Sequence, residues 1–419
     1  MKITDIEVIP IHPRLAKRYD NAAGRARMGG IDSRLVFKIH TNVGIVGYGD
    51  YDWPGPPPPS STFEHLIDRS PFEFMMNDFN LGLGSALYDA MGKYLEVPVY
   101  KLLGQKVRDR MAVAAWTRPC PADVFASEVQ RSIDEGYMIF KMHTNSSFDP
   151  LEQAAAAADL NPPNGFRIHF DFNGGGRSVG VVKPLIAKIE QHHPIVGFIE
   201  DPLPKRNLDG WRALTEHTSL TIVHGGVPVL GGYHEIRHGV ADAYMMGGSI
   251  ADIMRRGMTA ASADTQVILQ LTGGTLMKAM TLHLAAVLPT ASGHSINLDD
   301  QYDEDITTKR IGVDNGLSQV PEAPGLGLDV DEEMIQKVAS NKTMADTRLR
   351  MMGILRLPDG TVIHTPRNPH PPLITGREEG DIRGINLERW EDDGSPEFEQ
   401  AYQAMKAEWE PKTRGDWID

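Results

Sequence analysis

Cysteine is nearly absent from this chain: one residue, Cys120, in 419. A single thiol excludes any internal disulfide and any thiolate metal cluster, and it fits a reducing, cytoplasmic setting. The sequence around it, RPCPAD, offers no adjacent histidine, so a small buried thiol is favoured over a nucleophile. No apolar run approaches the ~20 residues needed to span a bilayer, and no basic segment followed by an apolar core opens the chain. A soluble protein without a secretory signal or membrane contact is the expectation. Positive charge is also in deficit. The net charge is −14, and no Lys/Arg stripe is interleaved with aromatics, which argues against a nucleic-acid partner. An anionic ligand would therefore need local cations at its own site.

What is present is an ordinary globular composition, 41% hydrophobic and 23% charged, in a chain long enough for two or three domains or one large barrel with a companion. The opening, KITDIEVIPI, alternates like a strand. SRLVFKIHTN and GIVGYGDYDW form a hairpin signal around Asn42 and Gly44. Between them RLAKRYDNAAGRARMGG reads as a solvated loop rather than a substrate lid. The stiff WPGPPPPSS leads into helical sequence, SALYDAMGKYLEVPVYKLLG, closed by Gly104.

From Met111 to Asn297 eight short β runs alternate with helical stretches: MAVAAW, MIFKMHT, RIHFDFN, VGFIEDPL, LTIVHGG, ADAYMMGG, QVILQLT and GHSINL. Eight strand-helix units in this order predict a parallel sheet closed into a barrel, and in such barrels the C-terminal strand ends build the active site. The predicted organisation is an N-terminal α+β domain over 1–109, a barrel over 110–335, and an extension over 336–419. That extension reads as a hairpin around an Asp-Gly turn plus a helix, with oligomer packing its expected role, so a homo-oligomer is anticipated.

Strand periodicity puts Lys141 and His143 of FKMHT on one side, pointing into the barrel mouth as a candidate base pair. Lys141 is also a candidate for holding a substrate carboxylate, as are Lys205 and Arg206 of EDPLPKRN. Asp171 and Glu200 end neighbouring strands, and two such carboxylates repel unless a cation lies between them; hard oxygen ligands without cysteine suggest Mg²⁺. Asn173 is placed to add a carbonyl oxygen or to position a water.

These marks together resemble the enolase superfamily, and within it the mandelate racemase-like acid-sugar dehydratases. The resemblance covers roughly residues 1–335 through KITDIEVIPI, SALYDAMGKYLEVPVYKLLG, FKMHT, FDFNG, FIEDPLP, LHLAAVLPTA and VPEAPGLGLDV. It implies an α+β capping domain over a modified TIM barrel, (β/α)₇β. It also implies an essential Mg²⁺ that stabilises the enediolate formed when a base removes the proton α to a carboxylate, in a small hydroxy (sugar) acid. Asp171 and Glu200 match the first two metal ligands, and Lys141 with His143 matches the family's K-x-K motif in a K-x-H version.

Two positions depart from the family. Gly226 stands where a third acidic ligand is usual, with His224 as a possible substitute or simply a packed core histidine. Gln270 stands where relatives carry a catalytic His, and Asp242 matches either that residue's acidic partner or a structural strand entry. Two readings follow: a one-base lyase or epimerase, most simply a dehydratase, or a homologue that has lost catalysis and serves as a binding or assembly protein.

Overall fold

Strand β1 (Ile3–Ile11) pairs antiparallel with β2 (Arg34–Thr41), which pairs with β3 (Val46–Asp52). In the computed structural model of the chain, residues 1–20, 24, 28, 30–53, 55–225, 233–343 and 350–409 are described. Seven of the seventeen residues of the loop predicted between β1 and β2 lie outside them. The helix Leu81–Tyr94 packs on this sheet at very close range, and the sequence shows why. A Cβ at Gly47 would strike the helix at Ala86 and Ala90, and one at Gly49 would strike Gly82. Small residues on both elements let the backbones approach.

Strands β4 (Arg110–Ala112) and β5 (Ala114–Thr117) lead into the barrel, which continues through β6 (Ile139–His143), β7 (Arg167–Asp171), β8 (Val196–Glu200), β9 (Thr221–His224), β10 (Ala243–Met246), β11 (Gln266–Gln270) and β12 (Ser295–Ile296). β5 to β12 form one eight-stranded parallel sheet, and a bridge between Val113 and Ser295 brings its two edges together. The eight strands closing into a barrel, predicted from periodicity, and the modified TIM barrel implied by the resemblance are therefore observed. Alternation sorts each strand's side chains. Ala114, Val223, Ala243, Met245, Ile268 and Ile296 fill the interior, whereas Phe140, Ile168, Ile199, Tyr244 and Leu269 pack outward against the helices.

The helix Thr275–Val287 is buried along its whole length because it lies between the barrel and the N-terminal sheet-helix unit. Its first turn is held by that unit. Asp50 of β3 accepts hydrogen bonds from the backbone N–H of Gly274 (2.7 Å) and Met277 (3.0 Å), and is itself paired at 2.9 Å with the fully buried Arg34. The chain then returns through β13 (Leu317–Gln319), paired with β4, and the helix Glu332–Ala339, which packs on β1.

The extension contains more sheet than expected. β14 (Met351–Arg356) and β15 (Val362–Thr365) form the predicted hairpin, but β16 (Asn386–Glu391) joins the other edge of β14, ahead of the helix Pro396–Trp409. Its sequence, NLERWE, has a single buried residue, Leu387, so the hydrophobic alternation that marks a half-buried strand is missing. The extension packs on this chain's own barrel. Ile382, Ile385 and Leu387 cluster with Phe148, the Ser178 hydroxyl donates to Glu378 at 2.6 Å, and the Gly384 N–H donates to Asp149 at 3.2 Å.

Candidate active site

Parallel register brings His143 level with Asp171 and Asp171 level with Glu200, at the C-terminal ends of β6, β7 and β8. Lys141 starts one layer lower, level with His169, and its side chain rises between the carboxylates. Its Nζ lies 2.6 Å from Glu200 Oε2, 3.2 Å from Asp171 Oδ2 and 3.4 Å from Gln270 Oε1. Burial works against this ammonium, but the Glu200 and Asp171 charges outweigh it and hold its pKa above the ordinary value. Lys141 is therefore a fixed internal cation. The carboxylates respond unequally. Burial pushes Glu200 up to about 7, whereas Lys141 and His143 overcome burial at Asp171 and keep it low. Of the pair, Glu200 takes the first proton.

His143 is the accessible member. Its side chain retains 30% of its exposure, against 0% for Lys141, and its Nε2 lies 3.3 Å from Asp171 Oδ2. Burial, and then the Lys141 charge, lowers its pKa to about 4, so the imidazole is neutral and able to accept a proton at physiological pH. Trp116 meets it edge-on at 5.4 Å.

Below the carboxylates lies a pair that sequence reasoning missed. His169 Nε2 is 3.0 Å from Glu200 Oε2, and His169 Nδ1 is 2.9 Å from His294 Nε2. Burial holds both imidazoles neutral. The signal was available: His169 is two residues before Asp171 and shares its inward parity.

Asp201 was also missed. A residue next to the inward-facing Glu200 should point outward, but Asp201 adopts a left-handed backbone (φ +43°), and its oxygen comes within 4.8 Å of ligand atoms of Asp171 and Glu200. Its Oδ1 accepts from the Gly225 N–H at 2.8 Å, Lys205 lies 3.3 Å away, and burial pushes its pKa up to about 7. A Cβ at Gly225 would strike both Glu200 and Asp201, so only glycine leaves the pocket its shape. Three hard-oxygen donors converging on one point suit a small divalent cation such as Mg²⁺.

Three expected site residues are placed elsewhere. His224 pairs in register with the outward-facing Tyr244 and packs against Trp211 (ring centroids 4.7 Å apart), outside the barrel, so it is no substitute ligand; burial lowers its pKa to about 4. Asp242 precedes β10 at the opposite, N-terminal rim, where its carboxylate accepts from the Ile222 N–H at 2.9 Å; it is the strand-entry residue, not a partner for Gln270. The Asn173 side chain is exposed, and its contribution is a backbone N–H donated to Asp171 Oδ1 at 2.8 Å. Gly226 lies outside the described residues. Among the cations expected to meet a substrate carboxylate, Arg206 is exposed and Lys205 is engaged with Asp201. Cys120 is buried away from these groups.

The family model described as "Enolase C-terminal domain-like" matches residues 124–334. Among similar proteins, a D-galactonate dehydratase of Ralstonia pickettii (strain 12J) is 26% identical over 280 residues, covering 61% of this chain and 72% of the relative. A D-xylonate dehydratase of Haloferax volcanii is 23% identical over 375 residues, covering 72% and 84%. In fold, the N-succinyl Arg/Lys racemase of Bacillus cereus ATCC 14579 superposes with a TM-score of 0.66 at 20% identity, covering 81% of this chain and 99% of that one. A mandelate racemase/muconate lactonizing family protein of Azoarcus sp. EbN1 gives 0.65 at 21% identity, covering 82% and 98%. With its barrel, its strand-end carboxylates and this match over half its length, the chain belongs to the enolase superfamily, in the mandelate racemase-like group of acid-sugar dehydratase type.

Proposed function

We propose that this chain is a hydro-lyase that removes water from a small polyhydroxy acid, beginning with abstraction of the proton α to the carboxylate. The observation that carries the reading is an accessible, neutral His143 set against Asp171, Glu200 and the buried ammonium of Lys141. The His143 imidazole takes the α-proton, and the electron pair left behind spreads onto the substrate's carboxylate oxygens. An α-proton is too weakly acidic to be lost unless that charge is met by fixed positive charge. Lys141 supplies one such charge. Asp171, Glu200 and Asp201 would hold a Mg²⁺, which would supply further positive charge as a Lewis acid.

The imidazolium of His143 then returns its proton to the departing β-hydroxyl. The carbon–oxygen bond breaks, water leaves, and the enol becomes a 2-keto-3-deoxy acid. One residue acting as base and then acid suits a site whose far side, among the described residues, presents Gln270, which cannot carry a proton at neutral pH. That same lack argues against a two-base racemase. The dehydratase names of the relatives favour catalysis over a binding role.

The test is to incubate the full chain with Mg²⁺ and a panel of aldonic acids in D₂O, following 2-keto acid by carbonyl trapping and α-proton exchange by NMR. Keto product from at least one acid is expected. Neither product nor exchange from any of them would remove the proposal.

A further inference from the structure

The barrel mouth contains a second constellation that the chemistry above leaves unused. Arg118 directly follows β5, at the same rim as His143, and Asp52 ends β3 of the N-terminal sheet, facing the Thr272 hydroxyl just beyond β11. The two residues thus reach the mouth from different parts of the chain. The Arg118 guanidinium carbon lies 5.9 Å from the Trp116 ring centroid, and that ring stands edge-on to His143 at 5.4 Å. Arg118 Nε and Asp52 Oδ1 are both closed off from solvent, and neither has a hydrogen-bond partner. Arg118 forms no ion pair within 4 Å among the described residues, although Asp52 is near enough to act on its charge.

Each group is under-compensated. Burial outweighs Asp52 and Tyr302 at Arg118 and lowers its pKa, and burial raises Asp52 to about 6 against the opposing pull of Thr272, Arg34 and Arg118. A buried donor and a buried acceptor left unmatched cost stability unless a bound molecule satisfies them.

We propose that Arg118 and Asp52 form a polyol-reading pair: Arg118 donates to, and Asp52 accepts from, the hydroxyls of the substrate chain beyond the carbons that react at His143. The inference rests on the dehydratase reading and assigns the residues that read the outlying hydroxyls of its polyhydroxy-acid substrate. A hydroxyl both donates and accepts, so it satisfies a guanidinium and a carboxylate that do not satisfy each other. A second carboxylate at that end would meet Arg118 but would also meet the Asp52 charge, with Asp50 close by. The neutral, hydroxylated chain is the better match.

The experiment titrates the full chain in Mg²⁺ by calorimetry with D-galactonate, D-xylonate, galactarate and lactate, the last carrying the same acid head without the polyol. The wild-type chain is expected to bind an aldonate at least tenfold more tightly than lactate. Arg118→Met and Asp52→Asn should each weaken aldonate binding by about ten- to a hundredfold, the usual cost of a lost charge-assisted hydrogen bond. Lactate and Mg²⁺ affinity and the near-UV circular dichroism should stay unchanged in both variants, which guards against misfolding. Unchanged aldonate affinity in both variants, equal loss of lactate, or galactarate bound more tightly through Arg118 would each overturn the inference. Wild-type binding without discrimination between aldonate and lactate would also overturn it while leaving the dehydratase reading intact. No binding of any acid would bring down both.

Discussion

The two halves of the barrel mouth are built from different materials. From β6 to β8 the inward positions carry Lys141, His143, His169, Asp171 and Glu200, and nearly every one is charged or able to transfer a proton. From β9 to β12 the corresponding interior holds Val223, Ala243, Met245, Ile268 and Ile296, with Gln270 the polar group that reaches Lys141. The same fold therefore supports a reactive wall and an inert one, and the difference lies in side chains rather than backbone. A site with proton chemistry on one side is suited to removing and returning a proton from a single face.

The strongest way to break this asymmetry is to remove the cation of the reactive wall. Lys141→Met leaves Asp171 and Glu200 facing each other without their shared counter-charge. Stripping one partner from a buried ionic cluster costs about 3–5 kcal/mol, so a large fall in melting temperature is expected without Mg²⁺. Added Mg²⁺ should raise the melting temperature of the variant more than that of the wild type, and calorimetric scans with and without the ion would show whether it does.

His143→Asn sharpens the comparison by silencing the base and leaving the carboxylates in place. Turnover should drop by about 10²–10⁴, the usual worth of a general base, with Mg²⁺ affinity retained. If turnover survives, proton abstraction has to be moved to another group.

A smaller effect concerns the extension that covers the rim next to the reactive wall. Glu379 packs against Gly175, just beyond Asp171, and burial pushes its pKa up to about 7 against the pull of Arg177. A carboxyl whose pKa is raised on folding favours the folded state fully at pH below its unfolded value near 4.5, and this contribution is lost as pH rises through about 7. Glu379→Gln should therefore stabilise the protein at pH 8, by about 1–2 kcal/mol, and have little effect at pH 4.5. Urea midpoints at the two pH values measure it, and an equal shift at both would contradict the burial argument.

The smallest change is expected at the opposite rim. Asp242→Ala should cost about 1 kcal/mol through the lost hydrogen bond from Ile222 and leave turnover within about twofold. A steady-state assay suffices, and a large loss of rate would return Asp242 to the site.

The barrel was legible because its strands alternate at a period of two, and because polar residues at their C-terminal ends recur about one strand-helix unit apart. Lys141, His143, Asp171 and Glu200 could be found that way, and Gln270 only through the family resemblance. Asp201 could not, since its orientation depends on a left-handed backbone that parity cannot foresee. His224 was misplaced for a related reason. Aligning Glu200 with Val223 puts the next residue outward, but that register appears only once the strands are paired. β16 failed for want of hydrophobic contrast, and the Arg118–Asp52 pair because its members are distant in sequence and meet only where two parts of the fold face each other.

Asp50 has a consequence for anyone recombining this protein with its relatives. The exposed start of a helix offers backbone N–H groups that something must receive, and here the receiver for Thr275–Val287 comes from the N-terminal sheet. Side-chain volume is matched as well, because a methyl group at Gly274 would collide with the Arg34 guanidinium. A chimera that exchanges the N-terminal unit must carry Arg34 and Asp50 together or supply another lock for the same key.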